Sequence, residues 1–322
     1  MILVTGGAGF IGSNFLEYID DEIVCLDKLT YASNYSFIKP LVDSNKVKFY
    51  EGDIADERIV SFLLGKYKPK YIVNFAAESH VDNSIDDCTP FVHTNIVGTI
   101  NLLKCSVNNK TLEKFLHVST DEVYGSLELD SDDSFKETTP YSPNNPYSAS
   151  KAASDHFVNA FRNTYGVPTV ITNCSNNYGP NQNAEKFIPT IIRKAIHDEK
   201  IPVYGDGKNV RDWLFVIDHC RGIENALKNG IIGEKYNIGG GTEVSNIELT
   251  KLILAKLNKP ESLIEFVTDR PGHDRRYSIN CSKITNELGY TPHYNLDDGL
   301  EHTINWYLSN LSVFDRPSKN ST

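Results

Sequence analysis

Ile2-Leu3-Val4-Thr5-Gly6-Gly7-Ala8-Gly9-Phe10-Ile11-Gly12 runs an apolar, β-branched segment straight into spaced glycines. A strand that ends in such a loop and opens a helix, here Ser13 to Ile19, has the context of a dinucleotide-binding turn. The glycines allow a tight turn and a close backbone approach, and the helix start offers its positive end to a pyrophosphate. The next apolar strand, Ile23 to Leu26, ends at Asp27, where a carboxylate can accept hydrogen bonds from both ribose hydroxyls. A carboxylate there repels a 2′-phosphate, which favours NAD over NADP, with the adjacent Lys28 as a partial counterweight. Asp53 and Ile54, after another short strand, are placed to edge an adenine.

Working outward, short β-branched runs recur at Met1 to Val4, Ile23 to Leu26, Tyr71 to Phe75, Phe115 to Val118 and Thr169 to Thr172, separated by helix-compatible stretches. Alternation of this kind predicts an α/β fold, a Rossmann-type doubly wound parallel sheet with ligands at the C-terminal strand ends. The 322 residues suit such a domain plus a smaller lobe. The polar, turn-forming run Asn173 to Pro180 marks the boundary. Residues 1–174 are expected to form the cofactor domain and 175–322 mainly a substrate-binding lobe. Trp213 to Ile217 and Tyr236 to Ile238 read as further short strands, and segments near 210–238 are expected to return to the first domain. The tail Arg316 to Thr322 is expected to fray.

A net charge of −10, without a Lys/Arg-rich run, argues against nucleic acid as a partner. A few placed cations and backbone N–H groups still suffice for an anionic ligand. The six cysteines form no C-x-x-C pair and have no nearby His at ligand spacing, which predicts reduced thiols, a cytoplasmic setting and no metal site. No apolar stretch is long enough to cross a bilayer, and the start lacks the basic and apolar regions of a signal peptide.

Tyr147-Ser148-Ala149-Ser150-Lys151 follows Asn145-Pro146, a helix N-cap with proline at the first position. Residues four apart then share a face, so the Lys151 ammonium is expected to favour the Tyr147 phenolate as a proton acceptor. With the glycine loop, Asn74-Phe75-Ala76-Ala77 and Ser119-Thr120, these residues make the chain resemble the extended short-chain dehydrogenase/reductase family over nearly its whole length. The resemblance implies a Rossmann domain with a C-terminal substrate lobe. It also implies that Thr120 hydrogen-bonds the reacting hydroxyl, that Lys151 holds the nicotinamide ribose, and that subunits pair as a homodimer.

Ser119-Thr120-Asp121-Glu122-Val123-Tyr124-Gly125 narrows this further, because oxidation or epimerisation at C4 needs no adjacent carboxylate pair. The heptad is similar to that of the dTDP-glucose 4,6-dehydratases. So are Ala76 to Asp82, Cys174 to Pro180, Glu185-Lys186, Val210 to Trp213 and Asp269 to Asp274. That resemblance implies Tyr147 as the base at C4, Glu122 as the base at C5 and Asp121 as the acid at the C6 hydroxyl, with NAD recycled in each turnover. It implies cofactor contacts from Gly6, Gly9, Phe10, Ile11, Gly12, Asp27, Lys28, Thr30, Asp53, Ile54, Ala76, Ala77, Ser79, Thr94, Tyr147, Lys151 and Asn177. A nucleotide-sugar substrate would meet His80, Thr120, Asn176, Lys186, Phe187, Pro202, Val203, Tyr204, Arg211, Asn246, Arg270 and His273. The chain departs from many bacterial relatives at Asn83, Asn173 and Phe187, which leaves UDP-glucose open beside dTDP-glucose. Sugar-nucleotide epimerases lack the carboxylate pair, UDP-glucuronate decarboxylases tend to Ser-Glu at the place of Asp121-Glu122, and NAD-sensing proteins of this fold commonly lose the tyrosine or lysine.

Overall fold

A computed structural model describes residues 1–269 and 272–315. Its strands are β1 (Ile2–Thr5), β2 (Ile23–Asp27), β3 (Val47–Glu51), β4 (Tyr71–Asn74), β5 (Lys114–Thr120), β6 (Thr169–Cys174), β7 (Asn176–Tyr178), β8 (Ile201–Tyr204), β9 (Val210–Phe215), β10 (Lys235–Ile238), β11 (Glu243–Ser245) and β12 (Ile264–Val267). Seven of them form one parallel sheet in the order β10-β6-β5-β4-β1-β2-β3. β1 and β2 run one way from the middle and β4 begins the other half. This reversal opens a crevice beyond the C-terminal ends of β1 and β4.

Both faces of the sheet are covered, so β1 and β5 are buried along their whole length. The two-residue period sorts the side chains: Ile2 and Val4 join Phe15, Leu16 and Ile223 on one face, while Leu3 joins Leu63, Leu102 and Val158 on the other. The helices Phe10–Tyr18 and Val216–Asn229 supply the first layer. The helices Glu57–Tyr67, Thr99–Ser106 and Pro146–Tyr165 supply the second.

A third core, built on Tyr178, Ile191, Trp213, Leu249, Ile253 and Leu300, belongs to the C-terminal lobe. Around it lie a small sheet, β11-β9-β7, and the parallel pair β12-β8. The Asn173 to Pro180 run, read from composition as a turn, instead finishes β6 and supplies β7, which pairs parallel to β9. Asn173 tolerates burial because it is bonded: its amide donates to the Thr120 carbonyl at 3.0 Å. Within 210–238, β10 and the helix Val216–Asn229 lie on the large sheet, whereas β9 stays with the small one. The Trp213 to Ile217 strand begins earlier and ends at Phe215, since Val216 opens that helix. The first helix likewise starts at Phe10 rather than Ser13, with Gly9 as its N-cap. The tail from Arg316 falls outside the described residues.

Candidate active site

The glycine loop is a cradle that side chains would fill. Gly6 sits at φ +72°, and a Cβ on it would lie 2.6 Å from the Ala76 nitrogen. A Cβ on Gly12 would lie 2.2 Å from the Gly6 carbonyl oxygen, so the helix packs against the turn only with glycine there. The helix start faces a continuous cleft over the C-terminal strand ends, and the cleft wall includes all seventeen residues implied as cofactor contacts, from Gly6 to Asn177.

Asp27, at the end of β2, is buried and accepts hydrogen bonds from the Ala8 and Leu29 backbone N–H groups and the Ser33 hydroxyl, each at 2.8 Å. A carboxylate has about four lone-pair directions, so roughly one is left toward the cleft. Lys28 is not held in reserve for a phosphate: its Nζ pairs with Asp53 Oδ2 at 2.7 Å. Burial works against the Asp53 anion, but Lys28 and the Ala55 N–H prevail and hold its pKa below the ordinary value. The Val92–Gly98 segment is π-helical and brings Thr94 to the cleft. The neighbouring Asn95 pairs with both backbone groups of Glu78, at 2.9 and 3.0 Å, and donates to the Ser150 hydroxyl at 2.8 Å. That ties the cleft wall after β4 to the helix bearing Tyr147.

Thr120, Asp121, Glu122, Tyr147 and Lys151 all line the same cleft. Thr120 ends β5 and N-caps the 3₁₀ turn Asp121–Tyr124, which turns the two carboxylates inward. Asn145 and Ser148 form a reciprocal cap, so the helix Pro146–Tyr165 begins with Tyr147 pointing into the site. Asp121 is 1% exposed and its Oδ2 has no hydrogen-bond partner among the described residues. Burial, then Glu122 and Asp212, hold its pKa well above the ordinary carboxyl value, with Arg211 and Thr120 opposing. Burial thus favours the neutral form of Asp121, which borders the cleft and whose Oδ2 is buried without a partner among the described residues.

Burial first and Glu122 second push the Tyr147 pKa well up, and the Thr120 hydroxyl is what favours the phenolate. The Lys151 ammonium donates to the Val118 carbonyl at 2.8 Å. Four-residue spacing placed both groups on one face without deciding which neighbour acts more strongly on the phenol.

Of the residues implied for a sugar nucleotide, Asn176, Lys186 and Thr120 border this cleft. Asn176 Oδ1 and Gln182 Oε1 are buried without hydrogen-bond partners among the described residues, and Lys186 donates to the Ser79 carbonyl at 3.0 Å, linking the lobes. His80 lies 3.7 Å from Glu185. The other positions lie in the C-terminal lobe. Phe187 stacks on Trp213, and Val203 is fully buried on β8. Arg211 is buried, donates to the Val210 and Asp274 carbonyls and lies over the Tyr277 ring at 4.3 Å. Tyr204 meets His273 edge to face, and His273 pairs with Asp269 at 2.6 Å. Pro202 is half-buried beside Tyr204 on β8, and Asn246 opens the helix Asn246–Lys256. Arg270 lies outside the described residues.

The cleft also takes in Ser33, Glu78, Ser175, Gln182, Asn183 and Glu185. Glu78, Ser175 and Glu185 sit inside stretches whose resemblance to dehydratases is visible in the sequence. Gln182 and Asn183 carry no local signal.

Residues 3–303 match the family model described as GDP-mannose 4,6-dehydratase. The dTDP-glucose 4,6-dehydratase of Xanthomonas campestris pv. campestris (strain B100) is 52% identical, over 96% of this chain and 93% of the relative. The crystal structure of DesIV, a dTDP-glucose 4,6-dehydratase from Streptomyces venezuelae with NAD bound, superposes with a TM-score of 0.92 at 45% identity, covering 97% of this chain and 98% of that one. A UDP-glucose 4-epimerase from Thermotoga maritima shares the fold at a TM-score of 0.90, with 27% identity over 96% of this chain and 99% of its own. Fold alone therefore does not separate the two chemistries; the higher identity lies with the dehydratases. The chain belongs to the nucleotide-sugar 4,6-dehydratase family, in its dTDP-glucose 4,6-dehydratase branch.

Proposed function

We propose that this protein is a hydro-lyase that converts dTDP-glucose to dTDP-4-keto-6-deoxyglucose with NAD as a cofactor recycled in each turnover. The observation that carries the reading is the buried Asp121, its pKa raised by burial and by Glu122, beside Glu122 in the cleft that holds Tyr147. Bound NAD supplies the redox chemistry, accepting hydride from C4 and returning hydride to C6. Thr120 holds the C4 hydroxyl while Tyr147, acting as its phenolate, takes the proton, and at the end of the turnover Tyr147 gives up that proton to solvent while Asp121 takes one back. The resulting ketone acidifies the C5 hydrogen, which Glu122 removes, and Asp121 gives its proton to the departing C6 hydroxyl so that it leaves as water. Glu122 then returns a proton to C5. Lys151 is assigned to the nicotinamide ribose, Asp27 to the adenosine ribose, and Lys186 and Arg211 to the diphosphate. Residues 1–174, with the segment that returns through β10, carry the cofactor, and residues 175–322 mainly carry the substrate.

Separate incubations with dTDP-glucose and UDP-glucose, read by formation of the 4-keto product, test the assignment. Product from dTDP-glucose is expected. Interconversion of UDP-glucose and UDP-galactose without loss of water would replace the reading with an epimerase. Denatured protein should release NAD rather than NADP. Asp27→Ala should weaken NAD binding by about 1.5–3 kcal/mol, the value of the one charge-assisted hydrogen bond left to the ligand. Unchanged affinity in a titration would move the adenosine elsewhere.

We also propose a homodimer. The helix Pro146–Tyr165 and its neighbour along Val92–Ser106 lie side by side and expose Phe157, Val92 and Val97 by 39, 45 and 45%. Apolar side chains exposed along adjacent helices suit a four-helix contact between two copies. Phe157→Asp should convert a dimer to a monomer in sedimentation. Six unpaired cysteines, one of them in the cleft, support a reducing cytoplasmic setting.

A further inference from the structure

Behind the cleft, on the sheet side of Lys151, lies a closed polar network that the reaction scheme does not use. Its centre is His117, fully buried in the middle of β5. Thr5 donates to Asn74 Oδ1 at 2.6 Å, which orients that amide so that its nitrogen faces His117 Nδ1 at 3.1 Å. Nδ1 is therefore assigned as the acceptor, and the ring proton sits on Nε2. Burial, reinforced by Lys151, keeps this imidazole neutral. Its Nε2–H faces Ser154 Oγ at 3.2 Å and Asp155 Oδ1 at 3.4 Å.

Lys151 Nζ stands 3.5 Å from the same Nε2. Two donors at that distance repel, so the ring cannot neutralise the ammonium. Burial itself pulls the Lys151 pKa down, and the carboxylate that opposes this is Asp155, one helical turn further on. Cys174 acts in the same direction, but burial keeps it a neutral thiol. Asp155 is fully buried, and its Oδ2 accepts from the Ser119 and Tyr141 hydroxyls, each at 2.8 Å. Lys235, over the Tyr141 ring at 4.6 Å, adds a second cation on its far side, and Tyr124 faces it as a phenol held neutral. Burial raises the Asp155 pKa, and the first of its neighbours to oppose that is Lys151, the two side chains approaching His117 Nε2 at 3.4 and 3.5 Å.

We propose that Asp155 is the buried counter-charge of Lys151, coupled to it past the edge of a neutral His117, and that the pair keeps Lys151 a fixed cation beside Tyr147. Asp155 and His117 are positioning residues: neither lines the cleft. The inference rests on the assignment of Tyr147 and Lys151 to C4 oxidation. Around Tyr147 stand Thr120, Asp121, Glu122 and Cys174, none of which the substitutions below touch.

The test uses the holoenzyme and dTDP-6-deoxyglucose, which lacks the C6 hydroxyl and so reports C4 oxidation alone through NADH absorbance. In Asp155→Asn the amide keeps the acceptor for Ser119 and Tyr141 but loses the charge. Lys151 should then lose its proton more readily, so the alkaline limb of NADH formation should move to lower pH by about one unit. Tyr141→Phe removes a hydrogen bond from the same carboxylate and leaves its charge, so its limb should stay in place. Superposable wild-type and Asp155→Asn profiles, or an equal shift in Tyr141→Phe, would overturn the proposal. If Asp155→Asn does not fold, ¹⁵N-lysine spectra of the wild-type holoenzyme decide: Lys151 should be an ammonium throughout the pH range in which NADH forms, and a neutral amine there would sink the proposal. A wild-type protein that forms no NADH at all would instead count against the reading of the cleft.

Discussion

Tyr147→Phe should suppress C4 oxidation, and with it every later step, by roughly the 10²–10⁴-fold typical of a lost general base. The phenol oxygen is the group assigned to the C4 hydroxyl proton, and phenylalanine keeps the ring that meets Phe91 edge to face at 6.3 Å. The helix cap through Asn145 and Ser148 does not involve the hydroxyl, so the fold should be intact. Two readouts follow: no NADH transient after mixing with dTDP-glucose, and no 4-keto product. A Tyr147→Phe enzyme that still forms NADH at the wild-type rate would move the base elsewhere, Glu122 being the nearest carboxylate candidate in the cleft.

Asp121→Asn should divide the turnover instead of abolishing it. The amide is nearly isosteric and can hydrogen-bond the C6 oxygen, but it is a very poor proton donor. Oxidation should survive while loss of water slows by roughly 10²–10⁴-fold, so that NADH and the 4-keto glucose nucleotide accumulate. The sign of the pH dependence follows from the raised pKa of Asp121. The acid must be protonated to act, so wild-type elimination should fall on the alkaline side, at a pH above the ordinary carboxyl range. The same shift has a cost in stability. A buried carboxyl with a folded pKa above its unfolded one stabilises below the unfolded value near 4, and that contribution is lost as pH rises through the folded one. Asp121→Asn should therefore melt higher than wild type at neutral pH while eliminating more slowly. Normal product formation in Asp121→Asn would reduce the carboxylate pair to a structural turn and remove the reason for preferring dehydration over epimerisation.

What these two residues share is a position that short-range signals specify. Strand β1 and its glycines, Asp27 at the end of β2, Asn145-Pro146 opening the catalytic helix, and Tyr147 four residues before Lys151 all depend on contacts within a few residues or on a repeating period. Each is legible in the sequence because the backbone conformation it demands, or the face it selects, is set locally. The heptad from Ser119 to Gly125 is of the same kind: it places two carboxylates on one turn after one strand.

The charge states are not. Lys28 looks like a cation available to a phosphate, yet Asp53, twenty-five residues away, occupies it at 2.7 Å. Asp121 reads as one more acidic side chain until the C-terminal lobe brings Asp212 and Arg211 behind it and excludes water. Lys151 and Tyr147 share a helix face, but the network through Val118, His117 and Asp155 decides what the lysine does, and it joins residues from two elements of the first domain. Local pattern also misjudged Asn173 to Pro180, whose polar residues looked like a linker and instead build β6 and β7 through bonds to distant partners. The sequence by itself determined the sheet, the cofactor turn and which groups stand at the strand ends, since these follow from backbone preference and periodic burial. The tertiary structure alone decided which of those groups are ionised and which are already paired, because a charge answers to the desolvation and the opposing charges brought to it from far along the chain.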